Sequence, residues 1–177
     1  PRYVELFLDE IRIASRLTHQ NIVHVYDVGE DRGIPFIVME YVKGIHASEY
    51  MRSFSPMFMP LEHVLFIIDQ VSNALAYVHN LSDDDGNGLR IIHRDLSPEN
   101  IMISEKGEVK VIDFGVSRAD DQLHETFTGE IRGKASYVAP EQCRGQGIDQ
   151  RVDIFSLGVV FHEMLCGQRL FWRSSEY

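Results

Sequence analysis

The chain has 177 residues, of which 44% are hydrophobic and 25% charged, with a formal net charge of −10. That length and composition suit one globular domain with a real core, and the negative charge argues against non-specific nucleic-acid binding, which needs a basic surface. Two cysteines, Cys143 and Cys166, are too few for a disulfide framework and fit a reducing compartment most easily. The opening residues are not expected to act as a signal peptide. Its longest apolar segment, Ile154 to Leu165, contains His162 and Glu163 and is too short to span a bilayer.

In chain order, Glu5 to Leu17 reads as an amphipathic helix, with Leu6, Ile13 and Leu17 on one face. His19-Gln20-Asn21 is a loop. Ile22 to Val28 and Pro35 to Val42 are apolar and β-branched, which predicts a hairpin turning across Gly29-Glu30-Asp31-Arg32-Gly33. Pro60 suits the first turn of a helix. Leu61, Val64, Leu65, Ile68, Val71, Leu75 and Val78 then form a helical stripe that runs to about Asn80. Asp83, Asp85, Asn87 and Gly88 resemble the start of a calcium-binding loop. The glutamate required at its twelfth position falls on Arg94, so a solvated acidic loop is the better reading. Ile101 to Ile103 and Val109 to Ile112 predict a second hairpin about Glu105-Lys106-Gly107. Ala119 to Gly133 is polar and irregular. Asp153 to Leu165 is apolar on nearly every side, which predicts a buried helix.

Three motifs stand among these elements. They are Ile91-Ile92-His93-Arg94-Asp95-Leu96-Ser97-Pro98-Glu99-Asn100, then Asp113-Phe114-Gly115, then Ala139-Pro140-Glu141. Each alone has a bland reading: a surface ion-pair cluster, a strand-ending turn, a helix start. In this order and at these intervals they resemble the catalytic loop, the metal-binding turn and the activation-segment end of protein kinases. The resemblance covers nearly the whole chain. Val38-Met39-Glu40-Tyr41-Val42 and Ala139-Pro140-Glu141-Gln142 make it look most like the bacterial serine/threonine kinases of eukaryotic (Hanks) type. It implies an α+β, two-lobed protein-kinase-like fold, present in part: the end of a small lobe over 1–42 and most of a mainly helical large lobe over 43–177.

The resemblance also implies a reaction, transfer of the ATP γ-phosphate to serine or threonine hydroxyls of protein substrates. Asp95 is the implied catalytic base, and Asn100 and Asp113 the implied holders of magnesium, whose preference for hard oxygen ligands they meet. Gly115 is expected to permit the bend that presents Asp113. Glu10 is implied to pair with a strand lysine that holds the ATP phosphates, although its bland reading is a solvated helix charge. Met39 resembles the residue at the back of the adenine pocket. Glu40, Tyr41 and Val42 resemble the hinge, whose backbone would bond the adenine edge. His93 and Phe114 are expected to pack together, and Asp153 to accept hydrogen bonds from the catalytic-loop backbone. Arg94 beside Asp95 suggests control by phosphorylation at Thr126 or Thr128, with Ser136 a weaker candidate.

Three departures qualify the resemblance. Ser97 stands where serine/threonine kinases usually carry a lysine, and Lys134 where they usually carry a threonine. Both family positions face the transferring phosphate, so Lys134 is a candidate for the cation missing at Ser97. No Gly-x-Gly-x-x-Gly loop occurs, and neither does its strand lysine, so the sequence reads as the middle of a kinase domain. Ser82 to Leu89 is an insertion. The expected setting is cytoplasmic, or the cytoplasmic part of a membrane-anchored kinase. A weakly catalytic scaffold of the same fold and a small-molecule phosphotransferase are the competing readings. Retention of Asp95, Asn100 and Asp113 argues against the first, and the Ala139-Pro140-Glu141 segment against the second.

Overall fold

A computed structural model describes residues 15–32, 34–83, 85–114, 135–145 and 147–171. The expected Glu5–Leu17 helix lies almost wholly outside the described residues, as do Glu10, Gly115, Thr126, Thr128 and Lys134.

The first hairpin is formed by β1 (Val25–Asp31) and β2 (Ile34–Met39), paired antiparallel. Asp31 opposes Ile34, so strand pairing extends through Gly29, Glu30 and Asp31 and the reversal does not take all five residues from Gly29. Arg32 takes a φ of 52°, the left-handed backbone that a two-residue hairpin turn demands. Gly29 and Glu30 stay in the strand, because pairing opposite Phe36 and Pro35 outweighs the turn preference of glycine. The expected strand also starts too early. Ile22 instead bridges to Val111, and the Val23 amide donates to the Val111 carbonyl at 2.9 Å.

A second sheet has the order β3 (Gly44–His46), β4 (Ile101–Ser104), β5 (Val109–Val111), antiparallel throughout. The β4–β5 hairpin turns where expected, with Gly107 at φ 81°. β3 escapes a sequence reading, because three residues are too few to display an alternation. Its one signal is Gly44: a Cβ there would lie 2.0 Å from the Ile103 carbonyl oxygen, so only glycine lets the two strands meet. A short helix, α1 (Ala47–Arg52), follows directly and was equally unexpected.

The long helix α2 (Leu61–His79) starts one residue after Pro60 and ends as expected. Its buried face differs from the expected stripe. Val64, Ile67, Val71, Ala74, Leu75 and Val78 are buried, whereas Leu61 is 54% exposed and Leu65 similarly so. Periodicity locates a stripe, but what packs against the helix decides its edges. Here β5 and the last long helix do the packing.

After a short 3-10 turn at Ala135–Tyr137 come α3 (Pro140–Cys143) and α4 (Arg151–Cys166). α4 begins two residues before Asp153 and stops at Gly167, whose φ of 63° lets its amide reach the Glu163 carbonyl at 2.8 Å. The expected buried helix is met on one face and corrected on the other. Val152, Asp153, Ser156, Val159, Val160 and Met164 are buried, but Ile154 is 56% exposed. Among the described residues only one flank of α4 is covered, chiefly by α2 and the Ala135–Tyr137 turn.

The core lies between α2, α4 and the β4–β5 hairpin, and includes Leu75, Leu96, Ile101, Val111 and Val160. The acidic insertion behaves as a solvated loop. Asp83 accepts from the amides of Asp85 and Asn87 at 3.1 and 2.7 Å and from the Asn87 side chain at 3.2 Å. The Asn87 bonds chiefly hold its carboxyl below the ordinary aspartate range. No helix among the described residues is long and apolar enough to cross a membrane.

Candidate active site

The site is built from the loop between α2 and β4 and the turn that follows β5. Asp153, in the first turn of α4, is completely buried. Its Oδ1 accepts the Arg94 amide at 2.8 Å. Its Oδ2 accepts the His93 amide at 2.9 Å and the His79 Nε2–H at 2.8 Å. A carboxylate without solvent contact needs this full set of donors. The expected role of Asp153 is therefore seen directly, with His79 as a donor that the sequence did not suggest.

His93 is buried, with its ring edge-on to Phe114 at 4.6 Å between centroids. It contacts the Ile112 carbonyl through Nε2 at 3.0 Å, and its Nδ1 accepts the Asp95 amide at 3.3 Å. A carbonyl can only accept, so the ring proton sits on Nε2. His93 and Phe114 thereby tie the Asp95 loop to the end of β5, as expected.

Asn100 closes a 3-10 turn, Pro98–Asn100, and is buried. Its Nδ2 donates to the Asp95 backbone carbonyl at 2.7 Å and to the Asp95 Oδ2 at 3.0 Å. Its own carbonyl accepts the Ile112 amide at 3.0 Å. Asp95 and Asn100 are thus in direct contact, and Asp113 follows the residue that both Asn100 and His93 hold. Asp113 is exposed. It takes a φ of 63°, so a bend is already present at this residue. Arg94 is also left-handed, at φ 67°. Such strain in a residue with a Cβ persists where surrounding bonds over-determine it, and the Asp153 contacts do so.

Ser97 is 1% exposed, and its hydroxyl has no partner among the described residues. A short neutral group in this buried place carries no charge to a phosphate. Ser136 is buried in the Ala135–Tyr137 turn, unfavourable for phosphorylation. Tyr137 beside it donates its hydroxyl to the Glu163 carboxylate, and its carbonyl accepts the Ser156 hydroxyl at 2.8 Å. Burial and the neighbouring carboxylate push the Tyr137 phenol far above its ordinary range.

The hinge-like residues lie where β2 ends. Met39 pairs with Val25 and is partly exposed, and Tyr41 is 88% exposed. The Glu40 amide donates to the His24 carbonyl at 2.8 Å, and its carboxylate accepts the His24 amide at 3.3 Å. Lys110 on β5 spans the same carboxylate, at 2.9 Å from Oε1 and 3.0 Å from Oε2. Burial raises the Glu40 carboxyl, but the Lys110 ammonium and the His24 amide together outweigh it and hold it below the ordinary glutamate range. Lys110 was missed from sequence. Its only signal is a charge between two valines on a short strand, placed by alternation on the face opposite the core.

The sequence matches the family model described as "Protein kinase domain" over residues 2–177. MasK of Myxococcus xanthus, named a tyrosine-protein kinase, is 39% identical over 178 residues, which cover 99% of this chain and 28% of that protein. PrkC of Bacillus subtilis, named a serine/threonine-protein kinase, is 39% identical over 166 residues, covering 94% of this chain and 24% of that protein. The crystal structure of a mutant Mycobacterium tuberculosis PknI kinase domain matches with a TM-score of 0.75 at 30% identity, covering 99% of this chain and 61% of that one. The chain therefore spans about a quarter of the length of these two curated relatives. With the family model matched over almost every residue, the chain belongs to the protein kinase domain family.

Proposed function

We propose that this chain carries the catalytic centre of a protein kinase that transfers the ATP γ-phosphate to serine or threonine hydroxyls. The observation that carries the reading is the Asn100 amide gripping both the backbone and the carboxylate of Asp95. In the proposed reaction Asp95 orients the acceptor hydroxyl and takes its proton as the oxygen bonds to the γ-phosphorus. The bond from that phosphorus to the bridging oxygen of ADP breaks, and ADP leaves.

The donor set suits magnesium. The Asn100 amide nitrogen is committed to Asp95, which leaves its Oδ1 for a cation, and the exposed Asp113 adds a carboxylate. No group of three or more His, Cys, Asp or Glu side chains forms a metal cluster among the described residues. Two hard oxygens completed by phosphate and water are what this ion accepts. When bound, it neutralises charge on the phosphates. The backbone of Glu40, Tyr41 and Val42 is the proposed adenine edge, with Met39 behind it. Glu10 is proposed to pair with a lysine that would hold the phosphates. Lys134 is proposed to supply the cation that Ser97 does not. Thr126 and Thr128 remain the candidate regulatory acceptors. The setting in the cell is proposed to be cytoplasmic, or the cytoplasmic part of a membrane-anchored kinase.

The names of the relatives divide between tyrosine and serine/threonine, so the acceptor is part of the test. The full-length protein is incubated with magnesium and γ-labelled ATP, and the phosphoamino acids are identified. Phosphoserine and phosphothreonine are expected. Asp95→Asn is expected to lower turnover by roughly a thousandfold. Predominant phosphotyrosine would overturn the acceptor class, and undiminished turnover in Lys134→Ala would remove that residue from the site. One observation favours a second reading, a scaffold of kinase fold: the buried, uncharged Ser97 at a position where the family carries a cation. A folded, wholly inactive full-length protein would establish it.

A further inference from the structure

Gln142 joins two parts of the molecule that the proposed reaction treats separately. It belongs to α3, just past the Ala139-Pro140-Glu141 motif. Its Oε1 accepts the Ala139 amide at 3.1 Å, which satisfies a donor at the start of the helix. Its Nε2 donates to the Arg94 carbonyl at 3.0 Å, 48 residues away in sequence. That carbonyl belongs to the peptide linking Arg94 to Asp95.

The Arg94 backbone is strained, with its φ of 67°. On its amino side the Arg94 amide is held by Asp153 at 2.8 Å. On its carboxyl side the carbonyl is held by Gln142. The orientation of the Arg94–Asp95 peptide fixes the direction in which the Asp95 Cα leaves the loop, and hence where its carboxylate stands. A neutral amide side chain can accept from Ala139 and donate to Arg94 at once.

We infer that Gln142 is a positioning residue for Asp95: it locks the Arg94–Asp95 peptide to the start of α3 and so holds the catalytic carboxylate in line. The inference rests on the proposed role of Asp95. In the proposed reaction Gln142 touches neither nucleotide nor acceptor and acts only through the loop.

Two substitutions in the full-length protein separate the halves of this bridge. Gln142→Glu keeps the acceptor for Ala139 and replaces the donor to Arg94 with an oxygen. Gln142→Met removes both. Positioning predicts that both variants lose kcat by about tenfold, the scale of one lost hydrogen bond, while KM for ATP stays within about twofold. It also predicts faster amide hydrogen exchange across residues 91–97 in Gln142→Glu, with the melting temperature of that variant near that of the parent. A purely helix-capping role would spare Gln142→Glu, so parental kcat in that variant would overturn the inference. The exchange measurement decides the case even if the parent shows no turnover: unchanged exchange across 91–97 sinks the bridge, whereas failure of the parent to phosphorylate sinks the kinase reading instead.

Discussion

Around residues 93–100 the backbone is fixed by buried acceptors and donors: Asp153 and His93 each bond to other segments more than once, and Asn100 grips Asp95 within the loop while its carbonyl accepts the Ile112 amide. The β1–β2 hairpin and the residues after it are secured differently. Tyr26, Ile34 and Phe36 are exposed, and a partly buried ion pair, Glu40–Lys110, ties the residue after β2 to β5. Dense polar networks in a dry interior hold one geometry, because any loosening leaves a desolvated group unpaired. A lone ion pair at the border of solvent tolerates movement. The difference suits the proposed reaction, in which the candidate base and metal ligands stay fixed while the proposed nucleotide edge adapts.

The contrast can be broken most sharply at Asp153. Asp153→Ala strips acceptors from the His93 and Arg94 amides and from His79 in a fully buried place. Destabilisation of at least about 3 kcal/mol is expected, read by chemical denaturation of the variant against the parent. A loss below about 1 kcal/mol would mean that the loop is not held by this network. Lys110→Met probes the other region. The pair is only partly buried, so roughly 1 kcal/mol is expected, with faster amide exchange in 25–39 and unchanged exchange in 93–100. Equal loosening of both segments would erase the distinction drawn between them.

The smallest effect sharpens the comparison through pH. Glu40 has its carboxyl held below the ordinary value of 4.5. A depressed carboxyl contributes stability that is present in full above 4.5 and is lost as pH falls through its lowered value. The stability difference between the parent and Lys110→Met is therefore expected to be flat at neutral pH and to shrink only in acid below that point. Unfolding measured at stepped pH tests this; a difference that fades near pH 6 would assign the effect to another group.

Much of the fold was legible from residues alone where the signal is local. The β4–β5 hairpin carries its turn in Lys106-Gly107, and α2 spans nineteen residues of helical periodicity. The motif containing His93, Asp95 and Asn100 was readable because a tight loop puts its own chemistry within ten residues. Short elements such as β3 and α1 left too little pattern to see. Burial on α4 was overread, since an apolar composition says what can be covered and not what covers it.

Residue order and spacing by themselves determined the family, the identity of the candidate base and metal ligands, and the anomaly of Ser97. Tertiary structure alone decided which partners hold those residues. Gln142 reaches Arg94 across 48 positions, Glu40 reaches Lys110 across 70, and Asp153 reaches His79 across 74. A single chain of letters carries no distance between such positions. They become neighbours only because burying α2 and α4 against the β4–β5 hairpin brings polar groups into the interior, where each must find a partner.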